Sequence, residues 1–152
     1  MTVSIVDADL TRADHAEGLI AVLNEYAQLP IIAAKPLADD VLQRLPGLLA
    51  ANPNAHVLLA MSGESVAGVA VCFLGFSTFA ATPLLNVHDL AVRGGFRGTG
   101  VGGALLDGVA EKARALGCCR VTLEVDDENP GARRLYERKG FELTQLFMKK
   151  PL

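Results

Sequence analysis

The sequence predicts an α/β fold of the mixed α+β type, formed by a single domain over residues 1–152. Three observations predict this class. Several stretches repeat apolar residues at helical spacing. Two β-rich runs are joined by a short turn, which is typical of a hairpin. A strand, a glycine-rich helix and another strand then follow, and such a right-handed crossover makes the two strands parallel neighbours or near neighbours.

The N-terminal third is predicted to hold one strand and two helices. Residues 3–6 form the strand, and Thr11 with Asp14 forms a capping pair for a helix that Pro30 stops. We expect the second helix to be interrupted or ended around Pro46, because proline removes a helix hydrogen bond.

The hairpin consists of strands predicted over residues 56–61 and 66–76, with a turn at residues 62–65. Neither strand alternates between apolar and polar residues. We therefore expect both faces of the sheet to be covered.

The crossover begins with a strand over residues 84–92 and a turn over residues 93–96. A helix follows that Gly117 closes as a C-terminal cap, and a further strand is predicted over residues 118–125. The helix has an apolar stripe made of Val101, Leu105, Val109, Ala113 and Leu116.

The last helix is predicted to begin at Asn129 and Pro130, by side-chain capping and by the fixed φ of proline, and to end at Gly140. The tail over residues 141–152 has room for one strand or a very tight hairpin.

The glycine-rich start of the crossover helix predicts an anion site. A helix N-terminus leaves backbone N–H groups without partners and carries partial positive charge, and glycines let an anion approach the backbone closely. The backbone of residues 98–102 would therefore hold a diphosphate, with side-chain support from Arg97 and Thr99. The run consists of Gly98, Thr99, Gly100, Val101 and Gly102.

Two other phosphate motifs compete for this stretch. Gly98, Gly100 and Gly103 satisfy the dinucleotide spacing G-x-G-x-x-G, with Glu124 downstream. However, residues 93–97 separate the strand from the first glycine, and the chain that follows is too short for a large parallel sheet. A P-loop needs a Gly-Lys-Ser/Thr ending, which the sequence lacks.

The stretch resembles the acetyl-CoA-binding motif of the GNAT N-acetyltransferase superfamily through Val92, Arg97, Gly100 and Gly102. A second motif of that family follows in the expected order, with residues 123–125, Asn129, Ala132, residues 135–137 and residues 140–141. The resemblance implies a mostly antiparallel sheet of six or seven strands, with a central parallel strand pair and about four flanking helices.

The resemblance also implies an activity: transfer of the acetyl group of acetyl-CoA to a primary amine of a small molecule or peptide, by direct attack in a ternary complex. Pantetheine is then expected along Leu90, Ala91 and Val92 as if it were an added strand. The second motif adds Asn129 and Ala132 to the coenzyme-binding residues.

Tyr136 is the expected general acid, because the family commonly places a tyrosine there and a phenol can protonate the departing thiolate. The competing interpretation is that Tyr136 only fills the core. His88 and Glu124 are equal candidates for the base, and each has a structural alternative. Asp89 is expected to point to the opposite side of the strand from His88.

The acceptor pocket is expected between the segment that joins the first two helices and the loop after the hairpin. Tyr26, Ile31 and Phe79 are its predicted lining, with Asp89 as a further acceptor-binding residue. These segments are apolar, which favours an acceptor with an apolar portion.

Composition and charge indicate which other classes of protein and partner to exclude. A net charge of −3 without a basic stripe predicts no nucleic-acid partner, and no apolar run is long enough to predict a membrane segment. We expect a cytoplasmic protein with buried free thiols and no metal site, because its cysteines and histidines lack ligand spacing. A homodimer remains open. The alternatives in function are an acyl-CoA sensor without turnover and a nicotinamide-dependent reductase.

Overall fold

The computed structural model describes residues 2–152. Its strands are β1 (Ser4–Asp7), β2 (Ala55–Ser62), β3 (Ser65–Ser77), β4 (Thr82–Val92) and β5 (Val121–Leu123). Its helices are α1 (Ala13–Ala27), α2 (Asp39–Ala51), α3 (Val101–Ala115) and α4 (Pro130–Arg138), and a short 3₁₀ turn covers Gly94–Phe96.

The strands form one five-stranded sheet in the order β1-β2-β3-β4-β5. All neighbours are antiparallel except β4 and β5, which are parallel, so the predicted mixed fold and the predicted crossover are confirmed. The expected strand number of six or seven is too high for residues 2–152. The parallel pair lies at one edge of this sheet rather than at its centre.

Helices cover both faces of the sheet, as the missing alternation in the hairpin predicted. One core lies between the sheet and α3, and we call this side the α3 face; it includes Val87 and Leu105. The other lies between the sheet and helices α1 and α2, and we call it the α1 face; it includes Val71 and Leu19. Every residue of β3 from Val66 to Cys72 is buried between these two cores.

The start of α1 differs from the prediction. The Thr11 hydroxyl donates to Asp9 Oδ1 at 2.6 Å, and Asp14 pairs with Arg12 at 2.7 Å, so Thr11 and Asp14 do not form a capping pair. Arg12 is the N-cap residue, and its side chain makes no capping bond. The Thr11 hydroxyl forms its hydrogen bond with Asp9 instead of with the backbone of α1, so the expected capping does not occur.

Helix α2 also differs, because it continues through Pro46 to Ala51. Proline removes one backbone hydrogen bond, but Leu49 and Leu45 pack into the core on the α1 face on either side of it. Tertiary packing of these leucines therefore outweighs the local penalty.

The strand predicted over residues 118–125 is limited to Val121–Leu123. The Cys118 amide donates to Ala113 O at 2.9 Å and the Gly117 amide to Arg114 O at 3.1 Å, with Gly117 at φ +74°. These bonds cap α3 and confirm the role of Gly117. Because they include Cys118, the strand can begin only later.

The tail over residues 141–152 forms neither a strand nor a hairpin, so that prediction is wrong. The neighbouring strand β5 has only three residues, which leaves little backbone for a further strand to pair with. Leu143, Leu146, Phe147 and Met148 of the tail are exposed. Among the helices of residues 2–152, none has the length and apolar character that crossing a membrane requires.

Candidate active site

The predicted glycine-rich helix start is present where β4 leads into α3. Gly98 and Gly100 adopt φ values of +73° and +90°, a backbone region that residues with a Cβ rarely adopt. Open space surrounds the position that a Cβ would occupy on either residue. The turn therefore presents bare backbone to the surface.

The amides of residues 98–103 donate to no backbone acceptor within the described chain. The first bond of the helix runs from the Ala104 amide to Gly100 O at 3.0 Å. Gly98, Thr99 and Gly100 are exposed. A consecutive run of free N–H groups at a helix N-terminus fits an anion such as a diphosphate.

The two polar side chains of this turn contact the turn itself. Arg97 Nε donates to Val92 O at 3.0 Å, and the Thr99 hydroxyl donates to Phe96 O. Both residues therefore shape the loop. The guanidinium has five N–H donors, so Arg97 retains others for an anion.

A bulge interrupts β4 at His88. Val71 of β3 pairs with Asp89 and Cys72 pairs with Val87, so His88 is the additional residue of β4. Its ring meets the Phe73 ring edge-on with centroids 5.6 Å apart, and Phe73 packs on the α1 face.

The bulge also corrects the expected orientation of Asp89. Asp89 stands opposite Val71, which belongs to the α1 face, so Asp89 and His88 share that face rather than pointing to opposite sides. An extra residue shifts the alternation of a strand by one position, which places two successive side chains on the same side.

Beyond the bulge, β4 and β5 separate. They pair only through residues 85–87 of β4 and 121–123 of β5. The side-chain Nδ2 of Asn86 in β4 donates to Thr122 Oγ1 at 3.1 Å near the end of this paired region. Leu90, Ala91 and Val92 pair with β3 on one side, while no strand of residues 2–152 lies on their other side. This opening leads from the bulge towards the free amides.

Helix α4 packs against the same end of α3. Asn129 Oδ1 accepts from the Ala132 amide at 3.1 Å, with Pro130 next to it, so the predicted helix start is confirmed. Leu135 Cδ2 lies 3.1 Å from the position of a Cβ on Gly102. The small residue at 102 therefore lets α4, which carries Tyr136, approach the glycine turn.

Burial and neighbouring charges raise the pKa values of Tyr136, Tyr26 and Asp89. Burial raises the pKa of Tyr136 to about 12, and the charge of Tyr26 adds to the shift. Burial, followed by the Asp89 charge, raises the pKa of Tyr26. Burial also raises the pKa of Asp89, while His88 counteracts it. Residues from α1, α4 and the bulge thus form one partly buried neighbourhood.

The remaining predicted residues lie at three different places. Glu124 is exposed just beyond the end of β5, one position past Leu123, which pairs with Val87 of β4, so it lies across the opening from His88. Phe79 is 104% exposed in the turn between β3 and β4, and the rise of β4 from Thr82 to His88 separates that turn from the bulge by roughly 20 Å. Ile31 is 40% exposed in the segment after α1.

Glu25, which no sequence motif indicates, contacts the turn before the free amides. Its Oε1 accepts from the Gly94 amide at 2.6 Å. The partners are 69 positions apart, so no local pattern indicates the contact. Among residues 2–152, no group of His, Cys, Asp and Glu side chains is arranged to hold a metal ion.

The free amides, the opening beside β4 and the neighbouring α4 define a site of the kind that accommodates a coenzyme carrying a diphosphate. The chain belongs to the GNAT acetyltransferase family. The model described as "Acetyltransferase (GNAT) family" matches residues 19–141, which include the free amides, β4 and α4. Members of this family use acetyl-CoA as co-substrate.

Known proteins agree with this assignment. The chain is 31% identical over 130 residues to a thialysine N-epsilon-acetyltransferase of Caenorhabditis elegans, covering 82% of this chain and 75% of that protein. It is 28% identical over 101 residues to an aminoalkylphosphonate N-acetyltransferase of Salmonella typhimurium, covering 66% of each. In fold it matches a crystal structure of a ribosomal-protein-alanine N-acetyltransferase from Brucella melitensis, with a TM-score of 0.79, 20% identity, and coverage of 99% and 100%.

Proposed function

We propose that this protein transfers the acetyl group of acetyl-CoA to a primary amine of a small molecule or peptide, by direct attack in a ternary complex. One observation carries the proposal: the free amides of residues 98–103 lie at the end of the unpaired edge of β4. A diphosphate on the amides would leave the rest of the coenzyme to run along that edge towards His88.

In this proposal, backbone groups bind the coenzyme. The amides from Gly98 to Gly102 hold the diphosphate, with Arg97 and Thr99 beside them. The edge formed by Leu90, Ala91 and Val92 offers hydrogen bonds to the amides of pantetheine, as an added strand would. Asn129 and Ala132 are the proposed contacts from the start of α4. A backbone N–H at the bulge would polarise the thioester carbonyl.

Tyr136 is the proposed general acid. Burial raises its pKa to about 12, so the phenol stays protonated near neutral pH and acts as a donor rather than a base. Its place on α4, next to the Leu135 contact with the glycine turn, supports a position beside the coenzyme. A thiolate gaining negative charge would accept the proton from the hydroxyl.

His88 is the proposed base. The bulge places it on the face of Asp89, and its exposure gives a transferred proton a route to solvent. Asp89 would attract the ammonium group of the acceptor before it loses its proton. Glu124 follows Leu123, the partner of Val87, and so lies across the opening from His88, whereas His88 stands directly beside Asp89; the contact with Asp89 favours His88 as the base.

A small amine is the proposed acceptor. The two curated relatives are named for thialysine and for an aminoalkylphosphonate, both small amino compounds. Ile31 and Ile32, which are about two-fifths exposed near Tyr26, would contact an apolar portion of the acceptor. A peptide amine is the alternative within the same reaction.

The test measures release of free CoA with a panel of small amines and peptides, together with mass spectrometry of the products. The proposal expects amine-dependent release of CoA and an acetylated product. Binding of acetyl-CoA with no release for any amine would instead favour an acyl-CoA sensor. Thermal stabilisation by NADH but not by acetyl-CoA would favour the reductase alternative.

Two variants decide between the candidate bases. His88→Gln should lower kcat by about 100-fold, which is the lower range for general-base catalysis. Glu124→Gln, the matched loss of an ionisable group, should leave kcat nearly unchanged. The reverse result would move the base to Glu124.

A further inference from the structure

Glu25, near the C-terminal end of α1, contacts the turn that precedes the free amides at several points. Its Oε1 accepts from the Gly94 amide at 2.6 Å. Its Oε2 lies 3.5 Å from Arg93 Nε, and its Oε1 lies 3.7 Å from Arg97 Nη2. One carboxylate thus meets a backbone amide and two guanidinium groups of the same turn.

These contacts connect two parts of the site. The turn over residues 93–97 leads directly into the free amides. Tyr26 is the next residue of α1, and burial together with the Asp89 charge raises its pKa. Glu25 therefore anchors the proposed coenzyme loop to the helix that lines the proposed acceptor side.

We propose that Glu25 is a positioning residue for the coenzyme: its carboxylate fixes the Arg93–Arg97 turn through the Gly94 amide and competes with the diphosphate for Arg97. This inference rests on the proposed function. The hydrogen bond of Glu25 to Gly94 and the negative charge of Glu25 beside Arg97 have opposite effects on coenzyme affinity. The hydrogen bond orders the loop and strengthens binding, whereas the negative charge weakens binding.

The geometry indicates which effect is larger. The Gly94 bond is short and charge-assisted, and such bonds are the stronger class. The ion pairs are long, and the Arg93, Arg97 and Glu25 side chains are 42%, 43% and 38% exposed, so solvent weakens them. Removal of both interactions should therefore weaken CoA binding, because losing the ordered loop outweighs losing the competing charge.

Two substitutions separate the effects. Glu25→Gln keeps an oxygen acceptor for the Gly94 amide but removes the charge, so CoA should bind about threefold more tightly, as expected for loss of an exposed competing charge. Its affinity should also fall more steeply with salt, because Arg97 becomes free for the diphosphate. Glu25→Ala removes both, and CoA should bind about tenfold more weakly.

The experiment measures CoA binding by calorimetry at several salt concentrations, and exchange of the Gly94 amide by NMR without coenzyme. Exchange should be fastest in Glu25→Ala and intermediate in Glu25→Gln, because the glutamine oxygen still accepts from the Gly94 amide but carries no charge. Glu17, which is exposed on α1, supplies the control pair Glu17→Gln and Glu17→Ala, and both should bind like the wild type.

The outcomes separate the inference from the proposed function. A wild-type protein that binds no CoA would overturn the proposed function. Wild-type binding with equal affinities in both Glu25 variants would overturn only the role of Glu25. Weakening of similar size in both variants would also overturn it. If Glu25 positions the coenzyme loop, the acceptor oxygen that glutamine keeps should preserve CoA binding.

Discussion

Leu135 Cδ2 lies 3.1 Å from the point that a Cβ on Gly102 would occupy, so the contact between α4 and α3 tolerates little extra volume. An alanine at 102 requires a shift of a few tenths of an ångström, and a valine requires a larger one. Because α4 carries Tyr136, displacement here should reach the proposed acid.

We therefore expect Gly102→Val to lower kcat by roughly tenfold and to destabilise the fold by about 1–3 kcal/mol, as overpacking typically does. Gly102→Ala should be close to neutral, since its gain in helix propensity offsets the tight contact. Gly47→Ala is the matched control, because nothing lies within 4 Å of its Cβ position in α2. Urea unfolding measures the change in stability, and steady-state kinetics measure the change in kcat. Equal effects of alanine and valine would contradict the packing argument.

Gly100 offers a test of the proposed coenzyme cradle. Its φ of +90° and the open space in front of it mean that a side chain would strain the turn and cover the free amides. Gly100→Val should raise the Kd for CoA at least 30-fold, an order-of-magnitude figure for losing several charge-assisted bonds.

The control for Gly100→Val carries a similar strain elsewhere. Gly63, in the turn between β2 and β3, has φ +60° and no atom near its Cβ position. Gly63→Val should lower stability and leave CoA affinity unchanged. If both variants lost affinity equally, the effect would come from strain and not from the cradle.

These residues also indicate what a sequence can reveal. The glycine turn, the Asn129–Pro130 helix start and the Gly117 cap were predictable, because each depends on conformational or capping preferences of neighbouring residues. The bulge at His88 was not, because it depends on the register between β3 and β4. Glu25 was missed for a similar reason: its partner Gly94 approaches only in the folded chain.

Packing explains further differences between the predicted and the observed structure. Pro46 predicted a helix break from local chemistry, yet Leu45 and Leu49 hold α2 against the sheet. The assignment of Asp89 to the side opposite His88 assumed an uninterrupted strand. Local preferences thus indicate the proposed coenzyme loop, while tertiary contacts determine the surroundings of His88 and Asp89.

Tyr136→Phe tests the proposed general acid. We expect kcat to fall by about 100-fold or more, the usual contribution of a positioned acid, while CoA affinity changes less than twofold. The substitution removes only the hydroxyl and keeps the ring that packs against Phe141, whose ring centroid is 6.0 Å away. Kinetics and calorimetry on the same preparation measure the two quantities. Unchanged turnover would assign Tyr136 to the core alone.

The raised pKa of Tyr136 also makes a prediction about stability. A phenol ionises near pH 10 in the unfolded chain, and Tyr136 does so near 12 in the folded one. In that window the folded state binds more protons, so the free energy of unfolding falls as pH rises. The contribution is fully present below about pH 10 and is lost towards pH 12. Urea unfolding should show a smaller alkaline loss in Tyr136→Phe than in the wild type. Parallel curves would contradict the shift.

The cysteines should differ sharply in reactivity. Cys72 is 1% exposed, and burial raises its pKa to about 12, with the Asp89 charge adding to the effect. Cys119 is exposed, so the expectation of buried thiols is wrong for this residue, and the neighbouring Thr82 hydroxyl, followed by the Arg120 charge, lowers its pKa. Since the thiolate is the reactive form, a disulfide reagent at pH 8 should label Cys119 first and Cys72 only after unfolding.

Peptide mapping after brief labelling identifies the reacting thiol. Cys119→Ser should remove the fast phase, whereas Cys72→Ser should leave it unchanged and supply the matched control. Burial also raises the pKa of Cys118, so this neighbour should react more slowly than Cys119 despite its adjacent position. Fast labelling of Cys72 in the folded protein would mean that the core between β3 and α3 opens readily, which its complete burial argues against.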